Sequence, residues 1–448
     1  MPGERGTPPP LPPSLTLAGG ASFYLAVGGL VLYGVVWAVG LNGWRVAKTR
    51  YGRAWAPSRL AALPPASVPG VTIIRPLCGL DSNLYNTLET VMQLEYPRYE
   101  VIFAFQDAGD EAIAVAQLLI KNYAHVDARI VINPAKVGVN PKVNNLMQPF
   151  AEAKYDLLWV IDSTVAVTDG TLGRMVDAWL GGGDVERTAE AGYTPPARGD
   201  VGLVHQVPIA VVYTSSWGSL IEQAFLNGNH AKMYLSINDV AVDSCVVGKS
   251  NMYSRANIAG LRTPSPSLRA APDPPSGLAG FGPFMAEDNM IAMTLWRAGL
   301  KHAMTGDVAL DFIGALSVRQ YIDRRARWIR VRKVMVLPAT LVEPFTESLL
   351  GSLVGSWALH RLFGLPQAAV FGASVLAWFL VDNSVRRNLS TNARHIGPQT
   401  SFATFAVAWA ARELLALPVW LYAMVGSTVV WRGHRYRILA SGEAKRVD

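Results

Sequence analysis

Three acidic sites and one cationic box are the parts of this chain that could do chemistry together. Gln106-Asp107 follows the apolar run Val101–Phe105, and Asp162-Ser163 follows Leu157–Ile161. Glu287-Asp288 opens an apolar helical stretch, and Arg324-Arg325-Ala326-Arg327-Trp328 comes later. In this order the parts fit transfer of a sugar from a nucleotide diphosphate. One carboxylate accepts from the base, one holds a divalent cation, Mg²⁺ or Mn²⁺, and one removes a proton. The cations face the diphosphate, which arginine grips with paired hydrogen bonds.

Each site also has a plainer reading. Asp107 and Asp162 could be helix N-caps or solvated loop residues. Asp162 is followed by Ser163 and Thr164, so the third position of the triplet offers a hydroxyl in place of a second carboxylate. Asp288 is the candidate general base, a role that typically contributes ~10²–10⁴-fold. Glu287 could fill that role instead, or favour the positive end of the following helix. Arg324, Arg327 and Trp328 could equally form a juxtamembrane cluster on lipid head groups.

The elements that must position these residues read as a covered, mostly parallel sheet. Val71–Leu77, Val101–Phe105, Ala128–Ile132 and Leu157–Ile161 are near-continuous apolar strands, and Leu84–Leu94 and Ala112–Tyr123 have helical spacing. That alternation predicts an α/β fold with both sheet faces buried, and ligands bind beyond the carboxyl ends of such strands. Asp107 and Asp162 fall there. Residues 181–200 and 263–284 read as surface insertions, expected to be disordered and given no chemistry.

Half of the 448 residues are hydrophobic and 16% are charged, against about 25% charged in a soluble domain. Residues 22–41 are apolar over a length that can span a bilayer, roughly 20 residues. Residues 1–20 are expected to be disordered and 21–43 to be an uncleaved anchor. Arg45, Lys48, Arg50, Arg53 and Arg59 follow it, which predicts that residues 65–334 lie in the cytosol. Residues 335–430 are expected to hold about three hydrophobic helices, read from Met335–Leu359 (interrupted by Pro338, Glu343, Pro344 and Glu347), Ala368–Val381 and Phe402–Val425. The loop bearing Arg386, Arg387 and Arg394 is expected on the cytosolic side, and 431–448 form a basic tail. The net charge is +7. With no zinc-finger spacing or RNA-binding signature, the excess favours anionic lipid and a phosphorylated substrate over nucleic acid. Cys78 and Cys245 are the only cysteines, too few for a disulfide framework.

Longer motifs carry a resemblance. Lys136-Val-Gly-Val-Asn-Pro-Lys-Val-Asn-Asn-Leu-Met147, His205-Gln-Val-Pro208, Met285-Ala-Glu-Asp288 and Arg324–Trp328 resemble the ceramide glucosyltransferase family, inverting enzymes of the GT-A type. So do Val336–Thr340, Ala406–Trp409 with Arg412-Glu413, and Trp431–Arg437. The resemblance implies UDP-glucose as donor and ceramide as acceptor, in a multi-pass protein of the Golgi or endoplasmic reticulum membrane. It implies that Asp107 lies in the nucleotide site, that Asp288 is the base, and that His205 and Cys245 lie near substrate. By themselves, His205 and Cys245 read as structural residues. Lys136, Lys142, Asn144 and Asn145 could bind diphosphate or sugar hydroxyls, or form a solvated loop. Arg412 and Glu413 are adjacent, point to different sides of a helix, and are expected to have separate partners. The rival readings are a processive polysaccharide synthase, a polyprenyl-phosphate glycosyltransferase, and a non-catalytic sphingolipid or nucleotide-sugar sensor.

Overall fold

The computed structural model describes residues 17–81, 83–181, 200–393, 396–431 and 433–448. Most of the 1–20 segment, the 181–200 insertion apart from its ends, Arg394 of the basic loop and Arg432 of the last motif lie outside the described residues.

Eight strands form one mixed sheet. They are β1 (Val71–Pro76), β2 (Tyr99–Phe105), β3 (Ala128–Ile132), β4 (Leu157–Ile161), β5 (Val165–Ala166), β6 (Val201–Val212), β7 (Ser250–Ser254) and β8 (Lys301–Ile313), in the order 3-2-1-4-7-6-8-5. Strands β3, β2, β1 and β4 are mutually parallel, β7 runs antiparallel between β4 and β6, and β6 and β8 are parallel. The apolar runs have a simple cause. Successive side chains point to opposite faces, and both faces are covered. Ile73, Phe103 and Trp159 face the helices Leu84–Met92, Ala112–Asn122 and Thr171–Trp179. Their neighbours Ile74, Ala104 and Leu158 face Pro141–Glu152 and Glu287–Arg297.

The carboxyl halves of β6 and β8 carry the sheet to the membrane helices. Val207, Ile209, Val308 and Leu310 pack with Val46, Ala47 and Tyr51 at the end of the first helix, and with Val385 and Leu389. Among the described residues, three helical stretches are long and apolar enough to cross a membrane: Gly20–Tyr51, Gln367–Leu389 and Phe402–Val425. The interrupted stretch before them forms a short helix Leu337–Val342, a turn, and the helix Ser348–Phe363.

One insertion is more ordered than the sequence suggests, and the basic tail is part of a sheet. The 263–284 insertion is structured, because Leu278, Phe281 and Phe284 sit in the second core and Thr263 donates to the Gly280 carbonyl. The 431–448 tail contributes most of a second sheet, of β9 (Thr428–Trp431), β10 (His434–Ile438) and β11 (Ala444–Arg446). Its Glu443 accepts hydrogen bonds from Ser265 and Ser267 of that insertion.

Candidate active site

Asp162 directly follows β4, and two lysines hold it. Lys142 Nζ lies 2.6 Å from Oδ1 and Lys249 Nζ 3.4 Å from Oδ2. Lys142 comes from the first turn of the Pro141–Glu152 helix, which Asn140 caps by accepting from the Lys142 and Val143 amides. Lys249 arrives from the other side, because β7 pairs antiparallel with β4 and the Asp162 amide donates to the Lys249 carbonyl. Burial pushes the Asp162 carboxyl up, but the two ammonium groups outweigh it and hold its pKa below the ordinary value.

The base candidates stand beside this pair. Glu287 and Asp288 open the Glu287–Arg297 helix. Glu287 lies 3.4 Å from Lys142 Nζ and accepts a 2.7 Å bond from Asn140 Nδ2, which also donates to the Phe284 carbonyl. Asp288 packs against Gly248, where a Cβ would strike its carboxylate. Lys142 Nζ donates to the Gly248 carbonyl, so one ammonium ties Asp162, Glu287 and the Gly248 loop together. Burial, with Lys142 opposing and Asp288 adding, raises the Glu287 pKa to about 7. Burial also raises that of Asp288, against the pull of Lys142. For Lys142 itself, burial works against the charge, and Asp162, Glu287 and Asp288 more than offset it, so its pKa rises.

The cationic box closes the third side. It lies on the helix Val318–Met335, started by a reciprocal Ser317–Gln320 cap. Arg324 Nε donates to Glu222 at 2.8 Å, and its Nη2 lies 3.8 Å from Asp311. Asp311, on β8, accepts from Thr164 at 2.6 Å and pairs with Lys249 at 3.1 Å. Asp162, Lys249, Asp311 and Arg324 therefore form a continuous chain of charge. Arg327 is half-buried and makes no ion pair or side-chain hydrogen bond among the described residues. Burial and the neighbouring Arg324 lower its pKa to about 10. Trp328 lies beneath the arginines, with Arg324 at 5.4 Å and Arg325 at 5.7 Å from its ring.

Other sequence candidates stand apart from this cluster. Asp107 is exposed beyond β2, and its Oδ1 accepts from the Gly109 amide. Lys136 is exposed on the loop after β3. Asn144 spends both ends of its amide on that loop, accepting from Val137 and Gly138 and donating to the Gly138 carbonyl. Asn145 donates to the Leu77 and Ala104 carbonyls at the ends of β1 and β2. His205 is not at a strand end but inside β6 and buried. Its Nδ1 meets Tyr234 Oη at 2.5 Å, and burial lowers its pKa to about 3, so the ring is neutral. Cys245 is half-buried and burial raises its thiol to about 11, which keeps it protonated.

Lys249, Asp311, Glu222 and Asn140 were missed as site residues. An aspartate inside the apolar run of β8 and a glutamate inside the amphipathic Trp217–Ala224 helix were visible anomalies. Lys249 had no such signal, since only strand pairing brings it to Asp162.

Among the described residues, no three carboxylate, imidazole or thiolate side chains converge on one point to hold a metal ion. Asp162, with 27% of its side chain exposed, is the accessible carboxylate of the Asp162-Ser163-Thr164 triplet. A hard cation held there would take most of its oxygen ligands from a phosphate substrate and water, and it would displace Lys249, the more distant of the two ammonium groups, from an Asp162 oxygen.

An α/β domain with this strand-end site, joined to long apolar helices, is that of a membrane-attached glycosyltransferase. The chain belongs to glycosyl transferase family 21, whose profile matches residues 35–444. It is 36% identical to the ceramide glucosyltransferase of Komagataella phaffii, over 92% of this chain and 90% of that one. It is 31% identical to that of Pyricularia oryzae, over 92% and 94%. Among solved structures, mannosyltransferase PcManGT from Pyrobaculum calidifontis, in complex with GDP-Man and Mn2+, matches with a TM-score of 0.45. The identity is 15%, over 83% of this chain and 99% of that one.

Proposed function

We propose that this chain transfers glucose from UDP-glucose to the primary hydroxyl of ceramide with inversion, giving β-glucosylceramide and UDP. The observation that carries the reading is the single ammonium of Lys142 shared by Asp162 and Glu287, with Asp288 alongside. In this reading Asp162 would serve the phosphate and the acidic pair would supply the proton acceptor, on either side of one cation.

In this mechanism Asp288 takes the proton from the acceptor hydroxyl as its oxygen attacks the anomeric carbon. One direct displacement turns an α-linked donor into a β-glycoside. Arg324 and Arg327 face the diphosphate and stabilise the negative charge on the departing UDP. Asp162 would hold a divalent cation, Mg²⁺ or Mn²⁺, which neutralises diphosphate charge when bound. Lys142 and Lys249 orient that carboxylate. Asp107, beyond β2, would accept from the uracil ring, and Lys136 would reach a phosphate or sugar hydroxyl. The ceramide tails stay among the apolar helices while the head group reaches Asp288. The catalytic domain faces the cytosol of the Golgi or endoplasmic reticulum, on the side where the basic run Arg45–Arg59 is retained.

A donor-by-acceptor matrix on the purified full chain tests this. UDP-glucose, UDP-galactose and GDP-mannose are each offered ceramide, a polyprenyl phosphate, or no lipid. The expected product is a β-linked monoglucosyl ceramide from UDP-glucose. A polymer, a polyprenyl product or no turnover with any pair would overturn the assignment.

A further inference from the structure

The helix Phe402–Val425 has the length and composition of a membrane span, but its two ends are tied to the same side of the molecule. Its amino end is held on the sheet side. Thr400 Oγ1 bonds Gln223 of the Trp217–Ala224 helix at 2.5 Å, and Gly397 lies against Val211 of β6 with no room for a Cβ. Its carboxyl end is held by the cationic-box helix. Arg330 donates to the Tyr422, Ala423 and Thr428 carbonyls, and Lys333 donates to those of Met424 and Gly426. The chain then returns directly to the catalytic domain, where the Ala444 amide donates to the Pro283 carbonyl.

Between those ends the helix stays packed on the catalytic side. Phe405, Ala408 and Trp409 join Val212, Leu220 and Ala224 in one cluster, which Val36 and Trp378 of the spanning helices complete. Val419 and Ala423 join Ala326 and Ile329 in another. Arg412 and Glu413 are buried and point inward, Arg412 to Glu347 at 2.7 Å and Glu413 to the Ser348 amide at 2.8 Å. The opposite face is apolar and exposed. Val407, Leu414 and Leu421 recur every seven residues along one line, and Leu337 and Leu341 of the neighbouring short helix are exposed as well. The strip adjoins the Gln367–Leu389 span, where the Phe379 ring stacks on Phe405 and meets Phe402 and Trp409 edge-on.

From this geometry we infer that Phe402–Val425 does not cross the bilayer. It lies in the plane of the membrane interface, its outer face in the lipid and its inner face on the catalytic domain. A 24-residue helix is about 36 Å long. A crossing would separate its ends by the thickness of the hydrocarbon core, about 30 Å, whereas both ends rest on one folded domain. The inner face is mostly apolar too, and it is covered by protein, so only the outer face is left to meet lipid. Gly20–Tyr51 and Gln367–Leu389 are then the full-length crossings, and the 16-residue helix Ser348–Phe363, about 24 Å long, forms a hairpin with the second of them. The second sheet ends on the same side as the active site.

Nitroxide labels at Val407, Leu414 and Leu421, placed one at a time in the full chain with Cys78 and Cys245 replaced by serine, report depth by power saturation in bilayer nanodiscs. An in-plane helix puts all three at one depth, within about 5 Å. A crossing helix separates successive sites by about 10 Å, and a graded series would overturn the inference. A second measurement uses the unlabelled chain in sealed microsomes, tagged after Asp448 or within residues 182–199. The two tags are expected to be lost together under protease. Protection of one alone would put the tail across the membrane and overturn it equally.

Discussion

The molecule holds two dense clusters of charge that differ in how they are closed. At the active site, Asp162 is 27% exposed, and its partners are two lysines reaching in from separate elements. At the junction with the membrane helices, Lys232, Asp382, Arg412, Glu347 and Glu413 are shut in. Lys232 Nζ lies 2.7 Å from Asp382, and both side chains are at most 2% exposed. Trp409 Nε1 donates to the other Asp382 oxygen, and the Trp378 ring lies 3.9 Å from the ammonium. Burial lowers the Lys232 pKa against the pull of Asp382. The junction is finished without a ligand. The active site has an accessible carboxylate and an arginine, Arg327, that makes no ion pair among the described residues, and under the proposed function a charged substrate would complete the set. Buried charge in this chain is thus of two kinds, one that fastens and one that waits.

The comparison breaks first at Asp288. Replacing it with asparagine keeps the shape and removes the proton acceptor. Transfer should fall at least ~10²-fold while UDP binding stays near wild type. A variant that kept a tenth of wild-type turnover would remove Asp288 as the base.

The junction should respond in the opposite sense. Asp382→Asn leaves Lys232 and Arg412 buried without their full counter-charge, and breaking a buried pair costs about 3–5 kcal/mol. The expected result is a large drop in melting temperature in detergent, with turnover per folded molecule little changed. A stable variant with lost turnover would show that the junction takes part in the reaction.

Arg327→Lys is a smaller test of the waiting group. Lysine keeps the charge and loses the two-pronged phosphate geometry. A roughly tenfold loss of kcat, with unchanged melting temperature, is expected from one charge-assisted contact. Unchanged turnover with weakened membrane association would make this a head-group residue.

The least effect is on pH. Burial raises both Glu287, to about 7, and Asp288, so the proton-accepting form is lost as pH falls through a range where an ordinary carboxylate is still ionised. The acid limb of kcat/KM should therefore sit above the usual value of about 4. Glu287→Gln removes a neighbouring negative charge and should move that limb to lower pH. A limb that stayed in place would uncouple the two carboxylates.

Much of the catalytic domain was legible in the chain because its sheet is covered twice. Ala128–Ile132 and Leu157–Ile161 were expected as strands with the bounds they have, since both faces demand apolar residues and the run is unbroken. The strand ends then put Asp107 and Asp162 at the ligand edge. The insertion 263–284 was misjudged because Pro and Ser dominate its composition, while three large apolar residues at its end decide its packing. Arg412 and Glu413 do have separate partners, as their positions on a helix require, but they also contact each other.

Local pattern determined which residues are strand, helix and apolar surface, because period and composition are properties of neighbours in sequence. It also determined that an aspartate would follow β4 and that an acidic pair would open a helix. Tertiary structure alone decided which charges meet. Lys249 reaches Asp162 through an antiparallel pairing across nearly ninety positions. Asp311 joins them from β8, a strand distant in sequence that pairs with β5 just beyond Asp162. The same holds for Phe402–Val425. Its hydrophobicity is written in its residues, but whether such a helix crosses or lies flat depends on where its ends are fastened, and partners far along the chain fasten them.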